Sequence, residues 1–122
     1  MKKGVIFAAA KSEVGGVLNS PKFGYRMVSE RPFEVWENPT KAVVITGIGL
    51  ANAATAFAWA AGEYDFDFAV NIGAAGAASG KFGAADIGAY FDITGIACVE
   101  PYCEAVYELG TLGGARAATL AT

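Results

Sequence analysis

The sequence predicts an α/β fold built on a twisted, mixed and largely parallel sheet with flanking helices. Two observations carry that expectation. The segment "KAVVITGIGLANAATAFAWAAGEYDFDFAVNIG" reads as strand, glycine turn, helix and strand over about 30 residues, the length of a βαβ crossover between parallel strands. The opening run "KKGVIFAAA" is continuously apolar and bounded by charge, which suits a strand buried on both faces.

Each element follows from local chemistry. After the first strand, Ser12 and Glu13 are expected to open a helix with Ser12 as its N-cap. The polar stretch from Asn19 to Pro39 alternates around Phe33 and Val35 and predicts a hairpin of antiparallel or edge strands. A strand over Ala42 to Thr46 leads to a helix from about Asn52 to Ala61, whose many alanines let it lie close on the sheet. Phe57 and Trp59 supply its bulk, and a strand from Phe66 to Ile72 closes the unit. Farther on, "DIGAYFDITGIACVE" is strand-like with a bend at Gly95, and "ARAATLAT" reads as a core strand.

Composition limits what this chain can do. With 122 residues, a single domain spanning 1–122 with one pocket is the expectation. Hydrophobic residues make up 54% and charged residues 17%, which opposes disorder. No apolar run approaches the roughly 20 residues that span a bilayer, so no membrane partner is expected. The basic, apolar N-terminus is better explained by a buried strand than by a signal peptide. Net charge is −3, and Lys81 and Arg116 are the only basic residues after Lys41, which disfavours nucleic acid as a partner. Cys98 and Cys103 are too few for a disulfide framework and read as ordinary thiols, so no metal is expected and a cytoplasmic location is the default.

The chain has no histidine, which removes serine–histidine and cysteine–histidine catalysis together with the usual general base. Acid–base chemistry must rest on other groups. The glycine-rich stretch "VNIGAAGAASGKFG" after the third strand invites a phosphate-binding reading but fails it. Ala75 occupies the first glycine position of a P-loop and Phe82 the Ser or Thr position. "GIGLAN" likewise puts Asn52 where a dinucleotide fingerprint needs its third glycine. What remains is geometric. "AAAKSE", "TGIG" and "NIGAAGA" all follow parallel strands, and ligands of open parallel sheets bind outside the carboxyl ends of the strands. Glu13 is the carboxylate just past a strand end beside these loops.

In order and spacing, "GVIFAAAKSEV", "ITGIGLANAA" and "VNIGAAGA" with the following "ADI" resemble the purine nucleoside phosphorylase and nucleosidase superfamily. The similarity is greatest to its 5′-methylthioadenosine/S-adenosylhomocysteine nucleosidase and futalosine hydrolase branch. It covers Lys3 to about Ile87, and "ARAATLAT" is similar to a later core strand of the futalosine-type members. The resemblance implies a nucleoside phosphorylase-like sandwich, apparently truncated, and cleavage of a purine ribosyl N-glycosidic bond without a cofactor. It implies that Glu13 activates water and that Ala9, Ala10, Ile48, Gly49, Ala74, Ala75 and Gly76 line the ribose and base pocket. It further implies a small-molecule nucleoside substrate and a homodimer. The hexameric phosphorylases carry a G-D-P-x-x-R-like segment after the first strand, where this chain has "AAAKSE", so hydrolysis is preferred to phosphorolysis. Ala74 stands where methylthioadenosine nucleosidases place a serine. The family's ribose-gripping Met-Glu pair and its general-acid aspartate belong to a later half that these 122 residues are expected to lack. That leaves a non-catalytic nucleoside-binding or assembly module as the competing reading.

Overall fold

The computed structural model describes residues 3–76, 83, 86–97 and 106–121. They fall into two compact units, Met1–Gly76 and Ala77–Thr122.

The first unit is a five-stranded mixed sheet in the order β2-β3-β4-β1-β5. Its strands are β1 (Gly4–Ala8), β2 (Arg26–Ser29), β3 (Glu34–Glu37), β4 (Lys41–Ile45) and β5 (Ala69–Ile72). β1 is central and pairs in parallel with β4 on one side and β5 on the other. The βαβ unit read from the sequence is therefore present, but its two strands do not touch each other, because β1 lies between them. β2, β3 and β4 form the expected antiparallel meander.

Period-two alternation explains why the strands read as unbroken apolar runs. Val5 and Phe7 of β1, Val35 of β3 and Val44 of β4 pack on one face with Ala56 and Ala60 of helix α2 (Leu50–Glu63). Ile6, Ala8, Val43, Ile45 and Trp36 point to the other face, where Val14 and Leu18 cover them. Both faces need apolar residues, so no polar alternation survives in β1 or β4. Helix α2 touches the sheet through an i, i+4 alanine stripe, and the rings around it form a chain. Phe7 lies 5.5 Å from Phe57, Phe57 6.1 Å from Phe66, and Trp59 5.6 Å from Phe33.

Two expectations are corrected, and one glycine is explained. Ser12 is not an N-cap: Lys11–Glu13 is a 3-10 turn, and the short helix α1 (Gly15–Leu18) starts after Val14, with no side-chain capping bond at either start. The third strand begins at Ala69 and not at Phe66, because Phe66 turns in to pack against Phe57. Gly4 is buried with the Phe68 ring directly over it, so a side-chain carbon there would fall 2.1 Å from Phe68 Cζ.

The second unit is a three-stranded sheet, β7-β6-β8. β6 (Phe91–Ala97) pairs antiparallel with β7 (Val106–Glu108) and parallel with β8 (Arg116–Ala121). The bend expected at Gly95 is a register shift between Ile93 and Gly95. Thr119 Oγ1 would stand 3.3 Å from a side-chain carbon at Gly95, which explains the glycine. β8 is not the core strand expected of "ARAATLAT": within this unit four of its six residues are exposed. The C-x4-C segment with Cys98 and Cys103 lies outside the described residues.

Asp92, 8% exposed, organises the loop before β8. Its Oδ2 accepts bonds from the Thr111 hydroxyl and from the backbone N–H groups of Leu112, at 2.8 Å, and Gly113, at 3.1 Å. The Thr111 bond first, then the two N–H groups, hold its carboxyl below the usual aspartate range. A depressed folded pKa means that the loop's stabilisation is complete above the unfolded value and is lost as pH falls through the folded one. Hydrogen exchange of the Leu112 and Gly113 amides should therefore be slow at neutral pH and accelerate beyond the intrinsic trend only under acid below the ordinary aspartate range. Asp92→Asn should abolish that pH dependence.

Candidate functional site

β1, β4 and β5 run in the same direction, so the segments that leave them emerge at one end of the sheet. The first two are joined directly: Thr46 N–H donates to Ala8 O at 2.8 Å, and Gly47 N–H donates to Ala9 O at 3.1 Å. Ala9 and Ala10 are half-buried and lead straight into the 3-10 turn that carries Glu13. Glu13 N–H donates to Ala10 O at 3.1 Å, closing that turn.

The Ile48–Gly49 segment is held from behind. Asn52 Nδ2 donates to Ile48 O at 2.8 Å, and Thr46 Oγ1 donates to Gly47 O at 2.7 Å. Gly47 and Gly49 have φ of 83° and 100°, a region that L side chains rarely adopt, so this tight strand-to-helix turn needs glycine at both. Ile48 is 82% exposed. Ala74, Ala75 and Gly76 follow β5 and are exposed.

Glu13 meets the third segment. A side-chain carbon at Gly73 would stand 3.2 Å from Glu13 Oε2 and 3.9 Å from its Cδ, so the carboxylate lies over the residue that follows β5. Glu13 thus follows β1 and has its carboxylate beside Gly73, the residue after β5, where the glycine makes room for it. The only sequence signal for Gly73 was its membership of the glycine loop. Gly73→Ala is expected to displace the Glu13 carboxylate by a few tenths of an ångström while leaving the fold intact. Because small misplacements of a reacting group are costly, a several-fold fall in any Glu13-dependent rate with an unchanged melting temperature is the expected signature.

A second cluster at this end escaped the sequence reading. Lys11 Nζ lies 3.3 Å from Glu34 Oε1 and 4.7 Å from the centroid of the Trp36 ring, and Trp36 Nε1 donates to the same Glu34 oxygen at 2.7 Å. The Trp36 bond, more than Lys11, keeps Glu34 below the usual carboxylate range. Lys11 is therefore a structural cation that ties the 3-10 turn to β3. By contrast the Glu13 carboxylate has no hydrogen bond or ion pair among the described residues, and Glu13 is exposed.

The order and direction of these strands, with loops gathered at their carboxyl ends, give a fold shared with solved nucleosidase structures. Neither a scan of protein-family models nor a search of curated proteins finds a match. Solved structures do match, and they include 5′-methylthioadenosine/S-adenosylhomocysteine nucleosidases. The enzyme from Neisseria meningitidis, in complex with methylthio-immucillin-A, superposes with a TM-score of 0.73 at 19% identity over 99% of this chain and 63% of that one. A nucleosidase of the same type from Chlamydia trachomatis gives 0.72 at 18% identity, over 100% and 61%. A form of it bound to MTA gives 0.71 at 17%, over 100% and 60%. At these identities the likeness is one of fold. The chain spans 60–63% of the length of these nucleosidases. Among the described residues no helix is long and apolar enough to cross a membrane.

Proposed function

We propose that this chain forms the ribose-facing, water-activating part of a purine nucleoside N-ribohydrolase, with Glu13 as the general base. The observation that carries the reading is the Glu13 carboxylate set against Gly73 at the carboxyl ends of β1 and β5, in a chain with the nucleosidase fold. Glu13 takes a proton from water as its oxygen bonds to the anomeric carbon. The carbon–nitrogen bond breaks through an oxocarbenium-like state, and the departing base takes up a proton at nitrogen. Ala9, Ala10, Ile48, Gly49, Ala74, Ala75 and Gly76 form the walls. With few polar side chains, they favour flat, apolar faces of sugar and base. The substrate in this reading is a purine nucleoside such as methylthioadenosine, adenosylhomocysteine or futalosine.

Hydrolysis is favoured over phosphorolysis because Lys11, the cation nearest Glu13 in sequence, is already held by Glu34 and Trp36. Phosphate transfer would require a free, geometrically matched cation at this point. In solution the protein is a homodimer in this reading. Exposed Leu50 and Phe57 on α2 offer apolar surface that a second copy would cover.

A second reading, nucleoside binding without cleavage, has its own support. Within the second unit, Asp92 is committed to its loop, and Asp86 accepts from Gly83 N–H at 2.8 Å and pairs with Arg116 at 3.5 Å. Neither carboxylate is left free to protonate a leaving base. The deciding experiment incubates the polypeptide that carries this chain with the three nucleosides and measures free base by chromatography. Base release in step with free sugar supports hydrolysis, and phosphate-dependent release of a sugar phosphate would convert it to phosphorolysis. Saturable nucleoside binding without release would establish the binding module.

A further inference from the structure

The opposite end of the sheet holds a cleft of about 340 Å³, lined by Lys3, Gly24, Arg26, Glu37, Asn38 and Pro39. Lys3 immediately precedes β1, and Glu37 closes β3, which runs antiparallel to β4. This cleft therefore lies at the amino ends of the parallel strands, roughly 16 Å from Glu13's end at the rise of a five-residue strand.

Its charges do not cancel. Glu37 is already answered on both oxygens: Lys3 Nζ lies 3.2 Å from Oε2, and the Tyr64 hydroxyl donates to Oε1 at 2.6 Å. Lys3 gives a second bond to Asn38 O at 3.1 Å, which leaves one of its three N–H groups available. Arg26 stands opposite Glu37 in the β2–β3 ladder, is exposed, and has no ion pair among the described residues. Arg26 attracts Glu37 at longer range without bonding it, so two cations against one carboxylate leave a net positive cleft whose guanidinium donates no hydrogen bond among the described residues.

The walls are fixed and open. Asn38 Oδ1 accepts from Thr40 N–H at 3.0 Å and Lys41 N–H at 2.8 Å, while its Nδ2 donates to Phe23 O at 2.9 Å. Gly24, at φ 66°, has nothing within 4 Å of where a side-chain carbon would stand, so a ligand can approach its backbone closely.

We propose that this cleft binds a small phosphorylated molecule, with the phosphate between Arg26 and the spare Lys3 donor and the organic body over Gly24 and Pro39. A guanidinium fork matches phosphate oxygens in bidentate fashion. The volume sits at the lower end of small-molecule pockets, about 300 Å³ upward, and so leaves room beyond a bare phosphate. The site is independent of the nucleosidase reading, and its test reads binding alone.

The experiment titrates the full chain with inorganic phosphate, glycerol 3-phosphate and plain glycerol at low ionic strength, following backbone amide shifts. Saturable shifts at Gly24, Asn38 and Lys3 are expected with both phosphates, tighter with glycerol 3-phosphate, and absent with glycerol. Arg26→Gln, an exposed substitution, should weaken binding by roughly tenfold or more without altering the rest of the spectrum. Absence of saturable shifts, equal binding by Arg26→Gln, or equal affinity for the two phosphates would overturn the assignment.

Discussion

Glu13→Gln is expected to lower nucleoside cleavage by about 10²–10⁴-fold, the usual contribution of a general base, with the fold untouched. The physical basis is the exposure of Glu13 and the freedom of its carboxylate from any bond among the described residues, so removing its charge leaves no partner behind. Gln keeps the size and the approach to Gly73 but cannot accept a proton from water. Nucleoside binding should persist, since the alanine and glycine walls do not depend on the charge. Initial rates and dissociation constants measured on the same preparation separate the two effects. A variant that cleaves at the original rate would remove Glu13 from the mechanism.

Phe7→Ala is expected to cost about 3–5 kcal/mol of folding stability, the range for deleting a buried aromatic ring. Phe7 is 6% exposed and sits at the centre of β1, against Phe57 and under the alanine stripe of α2. Ala56 and Ala60 are too short to collapse into the space, so the cavity term adds to the lost transfer energy. Stabilities of small domains run about 5–15 kcal/mol, which makes this one ring a large share of the total. Denaturant melts would read the loss directly, and Phe7→Leu should restore most of it. Ile48→Ala, on an exposed side chain, should stay within about 0.5 kcal/mol and serves as the contrast.

The parts of the fold that were legible in sequence are those whose periodicity is dictated by burial. β1 and β4, apolar on both faces, and α2, an alanine-rich run between glycine turns and "EYD", could hardly be read otherwise. The antiparallel hairpin was legible from the alternation around Phe33 and Val35. Ser12 failed as a cap because the backbone closes a 3-10 turn on Ala10 before any hydroxyl is needed. The insertion of β1 between β4 and β5 was illegible, since strand order is set by packing across sequence-distant segments and leaves no local trace. β8 misled for a related reason: an alternating exposed strand and a buried one can share the composition of "ARAATLA".

For the site, the loops were found by their position after parallel strands, and Glu13 by being the carboxylate among them. Gly73 and the Lys11–Glu34–Trp36 cluster were not. Each depends on a contact across 20 or more residues, and neither lysine nor tryptophan announces such a partner in one dimension.

Asn38 joins three stretches of chain through one amide, and the residue after it has a chemical consequence for how the protein ages. Asparagine loses its side-chain nitrogen when the backbone nitrogen of the next residue attacks the amide carbon and closes a five-membered imide. In this chain that next residue is Pro39, whose nitrogen carries no hydrogen. The imide route is blocked at an asparagine whose conversion to aspartate would replace the Nδ2 donor to Phe23 O by a charge that must turn away from it. The junction of β3 and β4 is thus resistant to imide-mediated deamidation at its most heavily bonded point.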